Sequence, residues 1–263
     1  MKWLSPITGL HGGILSLGYG TASGCFFARR FASSVSYYPP TSRSAHPIPK
    51  LPIIDSMVAC ASKLQLPSLE KTAFIGVQHI LETTATLFKG LIDIGVKPEN
   101  MFFAGKPYST SHTVAEAIGD LGINLIPTII PKIIGQYQAS CYEGLDKMWQ
   151  LFIYKLKSQD VERIIILDDG GRALETMPTF LRYDYAVAAI EQTRGGLYSS
   201  ALTELPFPLI EVASSAVKRM VEPPLITEAI LRRVHPIITA LGVKKKTNNF
   251  RCSGKRYYRV SHC

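Results

Sequence analysis

The chain has 263 residues, a formal net charge of +9 and five cysteines (Cys25, Cys60, Cys141, Cys252 and Cys263) with no CxxC spacing and no Cys/His cluster. This pattern points away from a disulfide framework or a zinc site and makes a reducing compartment the default; the length suits one large α/β domain or two small ones. The positive charge sits at the ends: residues 1–54 carry +5 and residues 229–263 carry +9, both without an acid, while the middle carries −5. A specific nucleic-acid-binding core is therefore not expected, and the basic ends read as solvated tails.

In chain order, residues 1–50 form a basic extension rich in Gly, Ser, Pro and Tyr with no sustained helix or strand period. Its lack of acid together with Arg29-Arg30 resembles an organellar targeting segment, the alternative to a cytoplasmic location. The glycines Gly18, Gly20 and Gly24 place the third one position late for GxGxxG, and no acid follows about 20 residues on to hold a ribose.

From Pro47 helices and strands alternate. A short helical piece spans Ile53 to Leu64. A first strand, Ala73 to Val77, leads through Gln78-His79 into a helix with Leu87, Phe88, Leu91 and Ile92 at helical spacing, ended by Gly95. Met101 to Ala104 is a second strand, followed by a turn over Gly105 to Thr110 and a helix that stops at Gly122. Asn124 to Ile130 is a third strand and Gln136 to Lys157 a long helix. The fourth strand, Arg163 to Leu167, carries four branched apolar residues in a row, Ile164 to Leu167, closed by Asp168-Asp169-Gly170-Gly171, and reads as buried on both faces. Tyr185 to Ile190 and Leu209 to Val212 bring the total to about six. The predicted fold is a doubly wound, mostly parallel α/β sheet with flanking helices, Rossmann-like or flavodoxin-like. No apolar run approaches a membrane span, since Ile123 to Ile134 is broken by Pro127, Pro131 and Lys132.

Ligands of such sheets bind beyond the carboxyl ends of the strands. The first exit offers His79, Glu82, Thr83 and Thr84, of which the threonines also suit a helix cap. The second offers Lys106, Tyr108, Ser109, Thr110 and Ser111, able to bind an anion or a sugar hydroxyl. The fourth offers Asp168 and Asp169, and the fifth Glu191, Gln192, Thr193 and Arg194. Adjacent strand residues point to opposite faces, so only one of Asp168 and Asp169 can face a given crevice. Two readings of that pair stay open: a ligand site, or a turn whose aspartates bond local amides.

Taken together, these exits resemble the substrate domain of adenosylhomocysteinase. Leu167-Asp168-Asp169-Gly170-Gly171 is similar to the family's LDDGG segment, and His79 followed by Thr84-Ala85 to its H-x-T-x-E-T-A. Tyr108-Ser109-Thr110 resembles F-S-T, and Ile190-Glu191-Gln192-Thr193 resembles S-E-E-T. Leu209-Ile210 through Lys218 resembles the strand and lysine that close the domain. The resemblance implies a domain over residues 51–235 that binds adenosine or S-adenosylhomocysteine in one-carbon (methyl-cycle) metabolism, followed by a basic tail over 236–263. It implies catalytic roles for Lys218, Asp169 and Glu222, and substrate contacts from His79, Glu82, Thr83, Thr84, Ser109, Thr110, Asp169 and Gln192. Thr193 would lie toward the NAD cofactor.

Several positions depart from the family. Leu81 replaces a threonine and Thr83 holds the carboxylate position, with Glu82 one residue early. Gln192 cannot ionise, and Glu222 stands where the family has aspartate. Because Glu222 precedes Pro223-Pro224, it is expected outside helical geometry, with an ordinary ion pair to Lys218 as the plain alternative to catalysis. Gly254 to Val260 resembles only the start of a cofactor-domain strand, so no complete NAD domain is expected in the chain. On this reading the isolated chain binds no NAD and is an inactive, pseudoenzyme-like binding module. The alternative is an active hydrolase or half-enzyme that uses an NAD domain supplied by another chain; a homo-oligomer is also in view.

Overall fold

A computed structural model describes residues 48–64, 66–126, 136–198 and 205–241. The basic N-terminal extension with its glycine run, residues 127–130 of the third predicted strand and the Gly254 to Val260 segment lie outside the described residues. The chain divides into two compact units, residues 1–211 and residues 212–263; the sequence reading had run one domain on to residue 235.

The first unit holds α1 (Pro52–Ala61), β1 (Thr72–Ile80), α2 (Glu82–Asp93), β2 (Met101–Thr110), α3 (His112–Asp120), β3 (Asn124–Ile126) and α4 (Tyr137–Leu156). These are followed by β4 (Arg163–Asp168), α5 (Arg172–Thr176), α6 (Leu181–Asp184), β5 (Ala186–Glu191), α7 (Arg194–Leu197) and β6 (Leu209–Glu211). The six strands form one sheet in the order β3-β2-β1-β4-β5-β6 with every pairing parallel. This is a doubly wound Rossmann-like fold. The strand order reverses between β1 and β4, which makes the carboxyl end of that pair the topological switch point.

The alternation of side chains along each strand explains the two cores. Ile75, Val77, Phe102, Ile164 and Ile166 pack with Leu145, Met148, Trp149 and Phe152 of α4 on one face. Phe74, Met101, Phe103 and Leu167 pack with Phe88 of α2 and Ile118 of α3 on the other, where Phe88 and Phe103 stack at 4.2 Å. The central strands β1, β2 and β4 are thus covered on both sides, as the apolar run of β4 required. Gly95 (φ 102°) and Gly122 (φ 86°) end the segments after α2 and α3 in left-handed geometry, as expected from sequence.

The second strand differs from expectation. Instead of ending at Ala104 and turning, β2 continues to Thr110 through Pro107. Gln78 of β1 pairs with Gly105 and Ile80 pairs with Thr110, so His79 alone faces the four residues 106–109. That bulge tolerates Pro107, whose missing N–H would break a regular ladder. It also throws Lys106 and Tyr108 out at the sheet end. A Cβ on Gly76 would lie 1.9 Å from the Leu167 carbonyl oxygen, so only glycine permits the close β1–β4 approach at the switch point. The Gln78 side-chain amide donates to that same carbonyl (3.0 Å).

In the second unit, a π-helical turn (Val217–Val221) runs into α8 (Glu222–Ala240). Glu222 is helical (φ −64°, ψ −44°), contrary to the sequence expectation for a residue before proline. The wide turn accounts for it: Glu222 N–H donates to the Val217 carbonyl five residues back, and the Pro-Pro pair falls at the helix start, where a missing N–H costs least.

Candidate functional site

Three strand exits converge at the switch point. Lys106, from the β2 bulge, reaches over β1 by roughly 10 Å, two strand spacings, and its Nζ donates to Asp169 Oδ1 at 2.5 Å. His79, at the end of β1, places Nε2 3.4 Å from Asp169 Oδ2. The Lys106 and Asp169 side chains are each only 10% exposed, whereas that of His79 is 35% exposed. The cluster therefore has a shielded ion pair at its base and an imidazole at its mouth. Tyr108 stands edge-on to His79 (ring centroids 5.6 Å apart) and 5.1 Å from the Tyr137 ring at the start of α4. Burial holds the Tyr137 phenol protonated well above its usual range, reinforced by Cys141, by Tyr108 and by the Asp169 charge. Burial likewise raises the Cys141 thiol, with Arg172 pulling the other way.

Behind this rim lies a second layer of carboxylates with a different role. Asp168 is fully buried; its Oδ1 accepts the Asp169 N–H and its Oδ2 the Leu174 N–H, each at 2.9 Å, tying the strand end to α5. Burial pushes its pKa up to about 7, the backbone amide of Leu174 opposes this, and the nearby Glu191 charge adds to it. Glu191, also fully buried, accepts the Gly170 (3.1 Å), Gly171 (2.8 Å) and Thr193 (2.7 Å) N–H groups together with the Thr193 hydroxyl (2.7 Å). Gly170 (φ 111°) and Gly171 (φ 73°) take left-handed backbone to present those amides. A Cβ on Gly196 would lie 2.3 Å from the Glu191 carboxyl carbon, so glycine is required there too.

Of the residues expected from sequence, His79 and Asp169 meet directly. Thr84 is buried and donates to the His79 carbonyl (2.6 Å), fixing the exit of β1 rather than capping α2. Glu82 and Thr83 are exposed on the first turn of α2. Thr110 donates to the Lys106 carbonyl (2.9 Å) and braces the bulge on which Ser109 is half-buried. Gln192 N–H donates to the Asp168 carbonyl (3.0 Å), and the Thr193 hydroxyl is engaged by Glu191. Lys218 and Glu222 belong to the second unit and pair with each other at 2.8 Å. Sequence reasoning named Lys106 at its exit without linking it to Asp169, and it missed Tyr137 and Cys141. Their one-turn spacing at the head of α4 was the available signal.

No group of three or more His, Cys, Asp or Glu able to hold a metal occurs among the described residues, and none of their helices is long and apolar enough to cross a membrane. The end of β1 and the start of α2, His79-Ile80-Leu81-Glu82, carry no glycine for close approach of a pyrophosphate and have an acid on the first helical turn.

No family model matches the chain. Two relatives, uncharacterized proteins from two strains of Mycobacterium tuberculosis, are each 28% identical over 189 residues. The match covers 70% of this chain and 36% of each relative, so the chain spans about a third of the length of the curated relatives it matches.

Proposed function

We propose that the switch-point cluster binds a nucleoside-type small molecule, adenosine or S-adenosylhomocysteine in kind, and that this chain acts as a binding module. The observation that carries the reading is the Lys106–Asp169–His79 cluster at the reversal of strand order, where open parallel sheets hold ligands. Asp169 would accept from a sugar hydroxyl, His79 would exchange a hydrogen bond with it, and the 64%-exposed Tyr108 ring would stack on a base. Binding is favoured over hydrolysis because Gln192, where the resemblance has a second glutamate, cannot ionise or act as a base.

Titration calorimetry of the chain with adenosine and with S-adenosylhomocysteine tests this directly. Saturable heat is expected from at least one of them. It should be abolished in Asp169→Asn and weakened in Tyr108→Ala, with thermal melts confirming that both variants fold. No heat from either compound with the unaltered chain would refute the assignment.

A further inference from the structure

The Lys106–Asp169 pair is more than a brace, because neither member is saturated. An ammonium has three N–H donors and a carboxylate about four acceptor sites. Among the described residues, Lys106 Nζ uses one donor on Asp169 Oδ1 (2.5 Å), while Asp169 Oδ2 faces His79 Nε2 (3.4 Å). Two donors and about two acceptor sites are left over. Both side chains are only 10% exposed, so charge placed against them is weakly screened. Arg172, the next cation along the β4 exit, is committed to Glu175 (2.7 Å) and to the Tyr142 hydroxyl (2.6 Å).

Charge balance decides which ligand group suits the pair. A lone carboxylate or phosphate set against Lys106 also meets Asp169, and attraction and repulsion at comparable distances nearly cancel. A lone ammonium set against Asp169 also meets Lys106 and fares no better. A zwitterion gains both attractions when its anion lies at Lys106 and its cation at Asp169. Separation matters as well. Nζ and Oδ1 are 2.5 Å apart, so a matching head must hold its opposite charges about as close. An α-amino acid does this, with a single carbon between ammonium and carboxylate; zwitterions with longer spacers do not.

We propose that Lys106 and Asp169 form the receptor for an α-amino-acid head on the ligand, which makes Lys106 the residue that selects an amino-acid-bearing nucleoside over a bare one. The carboxylate accepts from the two remaining Lys106 donors and the ammonium donates to Asp169 Oδ1, leaving Oδ2 to His79 and the sugar. This inference rests on the nucleoside reading above and adds the other end of the ligand to it.

Calorimetry of the full chain tests it with four compounds: S-adenosylhomocysteine, its decarboxylated analogue, free methionine, and 5′-methylthioadenosine, which keeps the nucleoside and thioether without the head. S-adenosylhomocysteine is expected to bind about tenfold or more tightly than the other two nucleosides, the worth of a charge-assisted hydrogen bond. Lys106→Met should bring the three nucleosides to similar affinity, with thermal melts confirming the fold, and the compound series with the unaltered chain decides the matter even where that variant does not fold. Equal affinity for 5′-methylthioadenosine and S-adenosylhomocysteine would overturn this inference and leave the nucleoside reading standing. A preference that survives Lys106→Met would also overturn it. Heat from free methionine with none from any nucleoside would do the reverse, keeping the head receptor and removing the nucleoside reading. No heat from any of the four would remove both.

Discussion

The carboxylates in back of the β4 exit and those in front of it share a turn but not a role. Asp168 and Glu191 are fully buried and bonded chiefly to backbone amides. Asp169, one residue along, is bonded to side chains, Lys106 and His79, at a partly open rim. Backbone amides cannot leave without unfolding the turn, whereas side-chain partners can trade places with a ligand. The back layer is therefore scaffold and the front layer is site, although both are built from the same residue type.

The largest effect should come from removing a scaffold carboxylate. Glu191→Ala strands three N–H donors in a buried turn and is expected to lower unfolding free energy by about 3–5 kcal/mol, measured by urea denaturation. A loss under about 1 kcal/mol would erase the distinction between the layers. The pH dependence comes next. Because burial lifts Asp168 to about 7, the folded chain retains a proton that the unfolded chain releases near 4. Its contribution thus favours folding at low pH and is lost as pH rises from about 4 to about 7, opposite in sign to a salt-bridged aspartate. Asp168→Asn should remove that slope, read as the difference between the two stability–pH curves.

A smaller effect is expected at the rim. Lys106→Met should cost about 1–3 kcal/mol by leaving Asp169 without its cation, and Lys106→Met/Asp169→Asn should cost less than the two singles added, a coupling that a double-mutant cycle by chemical denaturation reads. Additive losses would mean the 2.5 Å contact contributes nothing specific. Least of all, Tyr108→Ala should change stability by less than about 0.5 kcal/mol in thermal melts while weakening the ligand heat. A substantial loss of stability would place Tyr108 with the scaffold.

Much of the fold could be read locally. Apolar runs at 73–77 and 164–167, stops at Gly95 and Gly122, and the helical period through α2 yielded strand and helix identities and a mostly parallel sheet. The extension of β2 was not legible: Gly105 and Pro107 look like a turn to their neighbours, and only pairing with β1 turns them into a bulge. Glu222 failed in the same way, since the steric bias before proline yields to the wide turn that precedes it. At the site, His79 and Asp169 could be placed at exits by their position after strands. The roles of Asp168 and Asp169 stayed open because two adjacent carboxylates differ only in which face they meet.

The sequence by itself determined that about six strands, four of them with polar exits, would alternate with helices, because side-chain period and glycine stops act within a few residues. The tertiary structure alone decided the strand order that sets β1 beside β4, the reach of Lys106 across β1 to Asp169, and the enclosure of Glu191 by glycine amides. Those outcomes join residues 20 to 90 positions apart, and no local pattern carries the information about which distant neighbour will fill a given face.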